Sequence, residues 1–341
     1  MTKLSMFKFY TFLNLKLVFL FGMTLSGVTF TGLSNPALNP VPSSNWKARF
    51  LSSKNIAKTS YNPVDQVLKW NNLLAKHVRL NGGVDYTGFK KDIDELKAFI
   101  DQYKFFSPDK MSENSKKAHY LNLYNSTMIL HLLKYAEMNK IKVNSSEFLG
   151  LKINKLKVPG GDIWDGDLKV NLGGEEVNLD NIEHDLIRLE AKSSALSRFK
   201  LKSLDPRIHT AVNCAASSCP RVREVAFSGD NVDELLDKSM REYLNSDIQF
   251  KKIDNSTMQM NSIVFWYYAD FDNHAKNVLK QRGAGDYLST FIQDTKDKDW
   301  KIKHLRSNFN DRSKFSLKFS SAFDFEYDWK VNDIRNMQSL N

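Results

Sequence analysis

The sequence predicts an α+β fold: a single domain of helices packed on a small mixed or antiparallel sheet with hairpins. Three observations predict it. Apolar residues recur at three- and four-residue steps between 64 and 138, the mark of helices with a buried face. After residue 150 the period shortens and paired glycines or Asp-Asn interrupt it, as hairpins require. Hairpins and helices then follow one another without a strict βα alternation, which argues against a doubly wound sheet.

Taken in order, Val64 to about Val78 reads as a helix with Val67, Leu68, Leu74 and Val78 on one side, stopped by Asn81, Gly82 and Gly83. Val84 to Tyr86 is a short extended piece. A second helix is predicted over Phe89–Tyr103. The most periodic segment, Lys117–Met138, places Ala118, Leu121, Asn125, Met128, Ile129 and Leu132 on one face. Lys152–Val158 reads as a strand, and Pro159 to Asp162 as a loop. Leu168–Leu172 and Glu176–Leu179 flank Gly173 and Gly174 as a hairpin. Asp180 with Glu183 has the spacing of a capping box opening a helix over Asn181–Ala191. Ile208–Cys214 is a strand candidate. Asn231 with Glu234 opens a helix to about Leu244. A second hairpin joins Ile248–Lys252 to Thr257–Met260 around Asp254 and Asn255. Ser262 opens an aromatic helix, Ile263–Phe271, and a last helix covers Ala275–Ile292.

Composition bounds the function. The 341 residues are 42% hydrophobic and 26% charged, ordinary for a globular chain and unlike a disordered one. The net charge is +10, but residues 1–60 hold seven Lys/Arg and no Asp or Glu. Residues 61–341 therefore carry only +3, with 42 basic against 39 acidic side chains. A basic arm on a near-neutral body is a poor nucleic-acid footprint, so no nucleic-acid partner is expected. Lys3, Lys8 and Lys16 precede the apolar run Leu17–Phe30. That run is short for a membrane span and suits a signal peptide over residues 1–30. Residues 31–62, rich in Ser, Asn and Pro, read as a linker, and 63–335 as the domain. An exported protein, periplasmic or secreted, follows, touching the membrane only in transit.

The stretch Asp205 to Pro220 (D-P-R-I-H-T-A-V-N-C-A-A-S-S-C-P) holds both cysteines and His209. As a strand it would put Ile208, Thr210 and Val212 on one face and His209, Ala211 and Asn213 on the other. Three readings compete. Two cysteines in an exported chain suggest a Cys214–Cys219 disulfide. Cys214 could instead be a nucleophile activated by a nearby histidine. A metal site fits worst, because H-x4-C-x4-C is not a zinc spacing and no second cluster completes it. No metal and no cofactor are expected.

Glu183 beside His184 could orient a general base, although neighbouring helix residues point about 100° apart. The capping box is the simpler account of Glu183 and is preferred. Arg188 lies one turn beyond His184 on the same face, which could be a solvated surface or an anion site. Asn122 and Asn125, three apart on the periodic helix, either tie a loop to it or orient catalytic groups, since a buried amide must be hydrogen-bonded. Phe265 to Tyr268 read as core.

These segments resemble a known family, DUF547. The matching pieces are Val84 to Tyr86, Leu121 to Asn125, Val177 to His184, Asp205 to His209, Asn213 to Pro220 and Tyr327 to Asn332, spanning about residues 64–335. The sequence departs from the family at His119 and Tyr120, where an aromatic pair is usual, and at Ala215, often glycine. The resemblance implies a site drawn from Asn122, Asn125, Glu183, His184, His209 and Cys214, without saying which is catalytic. Family members also occur inside cells, where a purely structural disulfide explains the cysteines less well. The leading expectation is a cysteine-dependent hydrolase or acyl-transfer enzyme acting on an unidentified small molecule or peptide. Cys214 would be the nucleophile, His209 or His184 the base, and Glu183 or Asn125 the orienter. The alternative is a non-catalytic periplasmic or surface binding module stapled by Cys214 and Cys219.

Overall fold

The computed structural model describes residues 60–190, 194–293, 295–312 and 322–337. The expected signal peptide and nearly all of the expected linker lie outside them. Residues 57–341 cluster as one compact unit. The linker reading fails at its last residues: Tyr61 packs edge-on against Tyr103 and Phe106 and hydrogen-bonds His119 Nδ1 at 2.8 Å. Asn62 caps the first helix. Among the described residues, no helix is long and apolar enough to cross a membrane.

The architecture is α+β, with helices around small sheets of two or three strands. Helix α1 (Pro63–His77) begins where Pro63 at its start and the Asn62 side chain satisfy the free amides. Its buried stripe is Gln66, Trp70, Leu73, Leu74 and His77, whereas Leu68, expected inside, is exposed. Val84 is a bridge rather than a strand, pairing with both Val78 and Asp333. The second predicted helix is two: α2 (Tyr86–Lys91), capped by Asp85, and α3 (Ile93–Asp101), which runs into a 3₁₀ turn, Gln102–Phe105. Helix α4 (Glu113–Met138) is the central element, entered through the Ser112 cap. At 26 residues it is about 39 Å long. It is buried on nearly every side through its middle, because α1, α3 and later elements surround it.

A short α5 (Ser146–Leu149) follows. The strand expected at Lys152–Val158 is a 3₁₀ turn, Ile153–Lys155, before a two-residue β1 (Lys157–Val158). Ile153 N–H donates to Trp329 C=O, a partner distant in sequence. β1 pairs with β2 (Gly161–Asp162) across Pro159 and Gly160, and β3 (Val170–Leu172) with β4 (Glu175–Val177). Gly173 and Gly174 both have positive φ, as a tight two-residue turn with right-handed strand twist needs. The cap of the helix that follows lies two residues before the expected one. Asn178 Oδ1 accepts from Asn181 N–H, and Asn181 Oδ1 accepts from Asn178 N–H. Asp180 makes no side-chain cap bond and is already helical. The segment then widens into a π-helical turn, Asn181–Ile187, a feature often found at functional sites.

After α6 (Ser194–Ser197) comes the second large correction. Ile208–Cys214 is not a strand. Pro206–Thr210 forms a 3₁₀ helix, with Pro206 at its start and Asp205 accepting from Arg207 N–H. The Asp-Pro pair is itself a helix-start signal, and it overrides the β-branched run. Helix α7 (Val232–Asn245) runs as expected, but its box pairs Ser228 with Asn231 rather than Asn231 with Glu234. β5 (Phe250–Lys252) and β6 (Met258–Asn261) form the predicted hairpin. The aromatic helix breaks at Tyr267 into α8 (Ser262–Trp266), capped by Asn261, and α9 (Tyr268–Asn273). The last predicted helix is likewise interrupted, by Lys280 in the left-handed region and by Gly283, leaving a π-helical turn His274–Val278 and α10 (Ala284–Ser289).

Helix α11 (Lys298–Asn308) and β7 (Phe323–Glu326) complete the body. β7 joins β6 in parallel, so the three-stranded sheet is mixed. The chain beyond β7, up to a short α12 (Ile334–Met337), threads back through the molecule. It pairs Lys330 with Lys152, Val331 with Ala216 and Asp333 with Val84. This returning segment places the site.

Candidate functional site

The loop from Asn213 to Pro220 is held from both sides. Asn125, on α4, accepts from Asn213 N–H at 2.8 Å and donates to Ala211 C=O at 2.9 Å. Asn213 Oδ1 accepts from Ala215 N–H and from Asn332 Nδ2, while its own Nδ2 donates to Pro220 C=O. Tyr86 donates its hydroxyl to Asn332 Oδ1 at 2.8 Å. A buried relay of amides, Asn125, Asn213 and Asn332, thus fixes the loop. Each would cost about 1–3 kcal/mol if left unpaired. From outside, Ser217 N–H donates to Lys330 C=O and Ser218 N–H to Asp328 C=O. Ala215 sits at φ 63° and is fully buried. That left-handed turn is where glycine has no steric penalty.

The clamped loop brings the two cysteines together. The two sulfurs are not bonded, and their Sγ atoms lie 2.7 Å apart. Cys219 is buried and Cys214 partly exposed. Cys214 N–H donates to Cys219 Sγ at 2.8 Å, and the Tyr327 hydroxyl lies 3.0 Å from Cys214 Sγ. Burial pushes the Cys214 thiol up, yet hydrogen bonds from Cys219, Tyr327 and the Ala216 N–H outweigh it and leave it below its ordinary value. Burial drives Cys219 the other way, and its neighbour Cys214 adds to the rise. Of the two, Cys214 is thereby the more readily deprotonated. Glu183 opposes the thiolate weakly through its charge.

The histidines stand apart from the sulfurs. Among the described residues, no histidine nitrogen is a hydrogen-bond partner of Cys214. His209 is fully buried and stacks on the Tyr267 ring, 3.7 Å between centroids. Its Nε2 meets Asp270 Oδ2 at 2.8 Å, which places the proton on Nε2 and leaves Nδ1 bare. Nδ1 has no partner. Burial lowers the His209 pKa against the pull of Asp270, so the ring is neutral near pH 7. Arg188 clamps the same Asp270 through Nε at 2.8 Å and Nη2 at 3.3 Å, and its guanidinium lies over Tyr267. The Tyr267 hydroxyl donates to Glu183 Oε1 at 2.5 Å. Burial pushes the Glu183 carboxyl up, and His184, that hydrogen bond, His209 and Arg188 more than compensate, keeping it ionised. His184 is a third exposed and bonds Arg188 through Nδ1 at 2.7 Å.

Glu183, His184, Arg188 and His209 are therefore one network, built around Asp270 and Tyr267. The capping box expected of Glu183 is absent, because its carboxylate is spent on Tyr267. Asn125 belongs to the cysteine loop. Both polar ends of Asn122 are taken by the Phe227 backbone, so it ties the 226–228 loop to α4. Sequence reasoning missed Tyr267, Asp270 and Tyr327. The first two lie on the aromatic stretch read as core, and Tyr327 lies in a segment noted only for its resemblance. Tyr267 and Asp270 are one helical turn apart, a signal that an unbroken helix concealed. Tyr327 also lines a groove of about 510 Å³ with Ser217, Ser218, Asn261 and Glu326. Trp266 and Trp329 stack beside it, 5.5 Å apart. No group of His, Cys, Asp and Glu among the described residues could hold a metal.

Comparison with known families agrees with the motifs. The family described as protein of unknown function, DUF547, matches residues 108–244. That stretch is narrower than the span of the motifs. It contains Asn122, Asn125, Glu183, His184, Arg188, His209, Cys214 and Cys219, and it ends before Tyr267, Asp270 and Tyr327. No curated protein and no solved structure matches the chain.

Proposed function

We propose, from the DUF547 resemblance of residues 108–244 and the geometry around Cys214, that this protein is an exported cysteine-dependent hydrolase or acyl-transfer enzyme with Cys214 as nucleophile. The observation that carries the reading is the setting of the Cys214 sulfur. Cys214 is partly exposed, its sulfur lies 3.0 Å from the Tyr327 hydroxyl, and Tyr327 in turn lines the groove of about 510 Å³ with Ser217 and Ser218. In the reaction the Cys214 thiolate adds to an acyl carbonyl. The carbon–nitrogen or carbon–oxygen bond then breaks, and the amine or alcohol leaves with a proton. The resulting thioester passes its acyl group to water or to a second nucleophile. Hydrogen bonds that lower the Cys214 thiol below its ordinary value stand in for a histidine at the sulfur. In this reading Tyr327 donates to the sulfur in the free enzyme and to the departing group afterwards. His209, Asp270, Tyr267 and Glu183 act as positioning residues behind the site. Export rests on Lys3, Lys8, Lys16 and the apolar run Leu17–Phe30.

The test is labelling of the reduced, folded protein with iodoacetamide near neutral pH, read by intact mass and peptide mapping. One adduct on Cys214, with Cys219 untouched, is expected. No adduct, or equal labelling of both cysteines, rules the nucleophile out. The close approach of the two sulfurs supports a second reading, a non-catalytic binding module stapled by Cys214 and Cys219. Under it Cys214→Ser and Cys219→Ser lose equal stability and no thiol reacts.

A further inference from the structure

We infer that Cys214 and Cys219 form a reversible dithiol–disulfide couple that exchanges with disulfide-bonded thiols, Cys214 attacking and Cys219 resolving. The inference rests on Cys214 being a nucleophile and adds a second reaction partner. Three observations carry it. The sulfurs are 2.7 Å apart and not bonded to each other. A disulfide requires about 2.05 Å, so bond formation needs a small side-chain rotation only. The loop between them need not move: Ser217 and Ser218 donate their N–H groups to the Lys330 and Asp328 carbonyls respectively, and Asn213 is fixed by Asn125 and Asn332. The pair is also unequal in access, with Cys214 partly exposed and Cys219 buried. That is the arrangement in which one sulfur meets an outside disulfide and the other meets only its neighbour.

The electrons balance as follows. Cys214 thiolate attacks one sulfur of a disulfide R–S–S–R, forming Cys214–S–S–R and releasing RS⁻. The Cys219 thiol gives its proton to the released thiolate and attacks Cys214 Sγ. The Cys214–Cys219 bond forms and the second RS⁻ leaves, taking a proton from solvent. The protein loses two electrons and two hydrogens, and one disulfide becomes two thiols. Run backwards, the oxidised protein takes two thiols to a disulfide.

The experiment uses the full chain, reduced and desalted, exposed to oxidised glutathione near neutral pH. Samples are quenched with acid at intervals and read by intact mass and peptide map. In wild type the early samples should show one glutathione on Cys214, replaced by a product lacking two hydrogens. Dithiothreitol should reopen that product in the folded protein. Cys219→Ser should accumulate the glutathione adduct on Cys214, and Cys214→Ser should react at least about tenfold more slowly than wild type. The inference is overturned by an adduct that persists in wild type, by first attack at Cys219, or by a disulfide that dithiothreitol cannot open without unfolding. If iodoacetamide labels Cys214 while glutathione exchange fails, the couple falls and the nucleophile stands. If neither reagent reacts, both fall.

Discussion

At the scale of single residues, the sulfur of Cys214 is governed by its donors. Tyr327→Phe removes a hydroxyl donor at 3.0 Å. The pH profile of iodoacetamide labelling should move upward, because hydrogen bonds to the thiolate are what hold it below its ordinary value. Glu183→Gln should move the same profile downward, since it deletes a negative charge that opposes the thiolate. Shifts in the same direction for both variants would contradict this electrostatic account. Ala215 makes a second residue-scale case. Its left-handed backbone costs about 1–2 kcal/mol for an L-residue, while glycine's extra chain entropy costs about 0.5–1 kcal/mol. Ala215→Gly should therefore change stability by no more than about 1 kcal/mol and keep Cys214 reactive. Ala215→Val, β-branched and fully buried, should destabilise by more than about 2 kcal/mol in urea unfolding.

At the scale of an element, the π-helical turn Asn181–Ile187 joins stability to the site. Its entry is the reciprocal Asn178 and Asn181 pair, so Asn178→Ala should cost about 0.5–2 kcal/mol. Asp180, which makes no cap bond, behaves differently. Burial, with the Glu183, Asp162 and Asp165 carboxylates nearby, pushes its pKa up to about 6. A raised carboxyl favours the folded state when protonated, and that contribution is lost as pH rises through about 6. Asp180→Asn, permanently neutral, should be the more stable protein above pH 6. The gap should close below about pH 4, where the unfolded chain is protonated as well. Melting curves of the two proteins across pH test this. A wild type more stable than Asp180→Asn at pH 8 would show that Asp180 is a cap after all.

At the scale of the whole molecule, several buried acids act in concert. Hydrogen bonds from His209 and Arg188, with the Arg188 charge, hold Asp270 below the usual carboxylate range against the cost of burial, and Arg207 and Lys117 take Asp205 down to about 2. Groups with depressed folded pKa values stabilise above their unfolded values and lose that contribution as pH falls. His209, neutral and buried, adds a loss beginning near pH 6.5, where the unfolded imidazole starts to bind protons. Between about pH 4 and 6.5 the Asp180 contribution runs against it. A shallow slope is expected there, then a steep fall below about pH 4, measurable by urea midpoints. The fold is also closed by its far end. Asp333 pairs with Val84, β7 with β6, and Val331 with the cysteine loop. A chain ending at Ala322 should therefore lose cooperative unfolding and the selective reactivity of Cys214. Retention of both would mean that the returning segment is dispensable.

What the sequence determined by itself is whatever a short window encodes. The α+β class, the α4 helix, the Gly173 and Gly174 hairpin and the β5–β6 hairpin follow from periodicity and turn chemistry, both local properties. The interest of Cys214, Cys219, Glu183 and His209 was visible for the same reason, since their chemistry is in the residue type. Local rules failed where a partner from elsewhere decided. Asp205 and Pro206 with the Asn125 amide turned the apparent strand at Ile208–Cys214 into a 3₁₀ helix. The claim of Tyr267 on Glu183 replaced a capping box. Tertiary structure alone brought Asp270 to His209 and Tyr327 to Cys214. These contacts join residues 61 and 113 positions apart. Nothing in a short stretch of chain records which distant donor will satisfy a buried charge or sulfur, because that choice is made by the packing of the whole core.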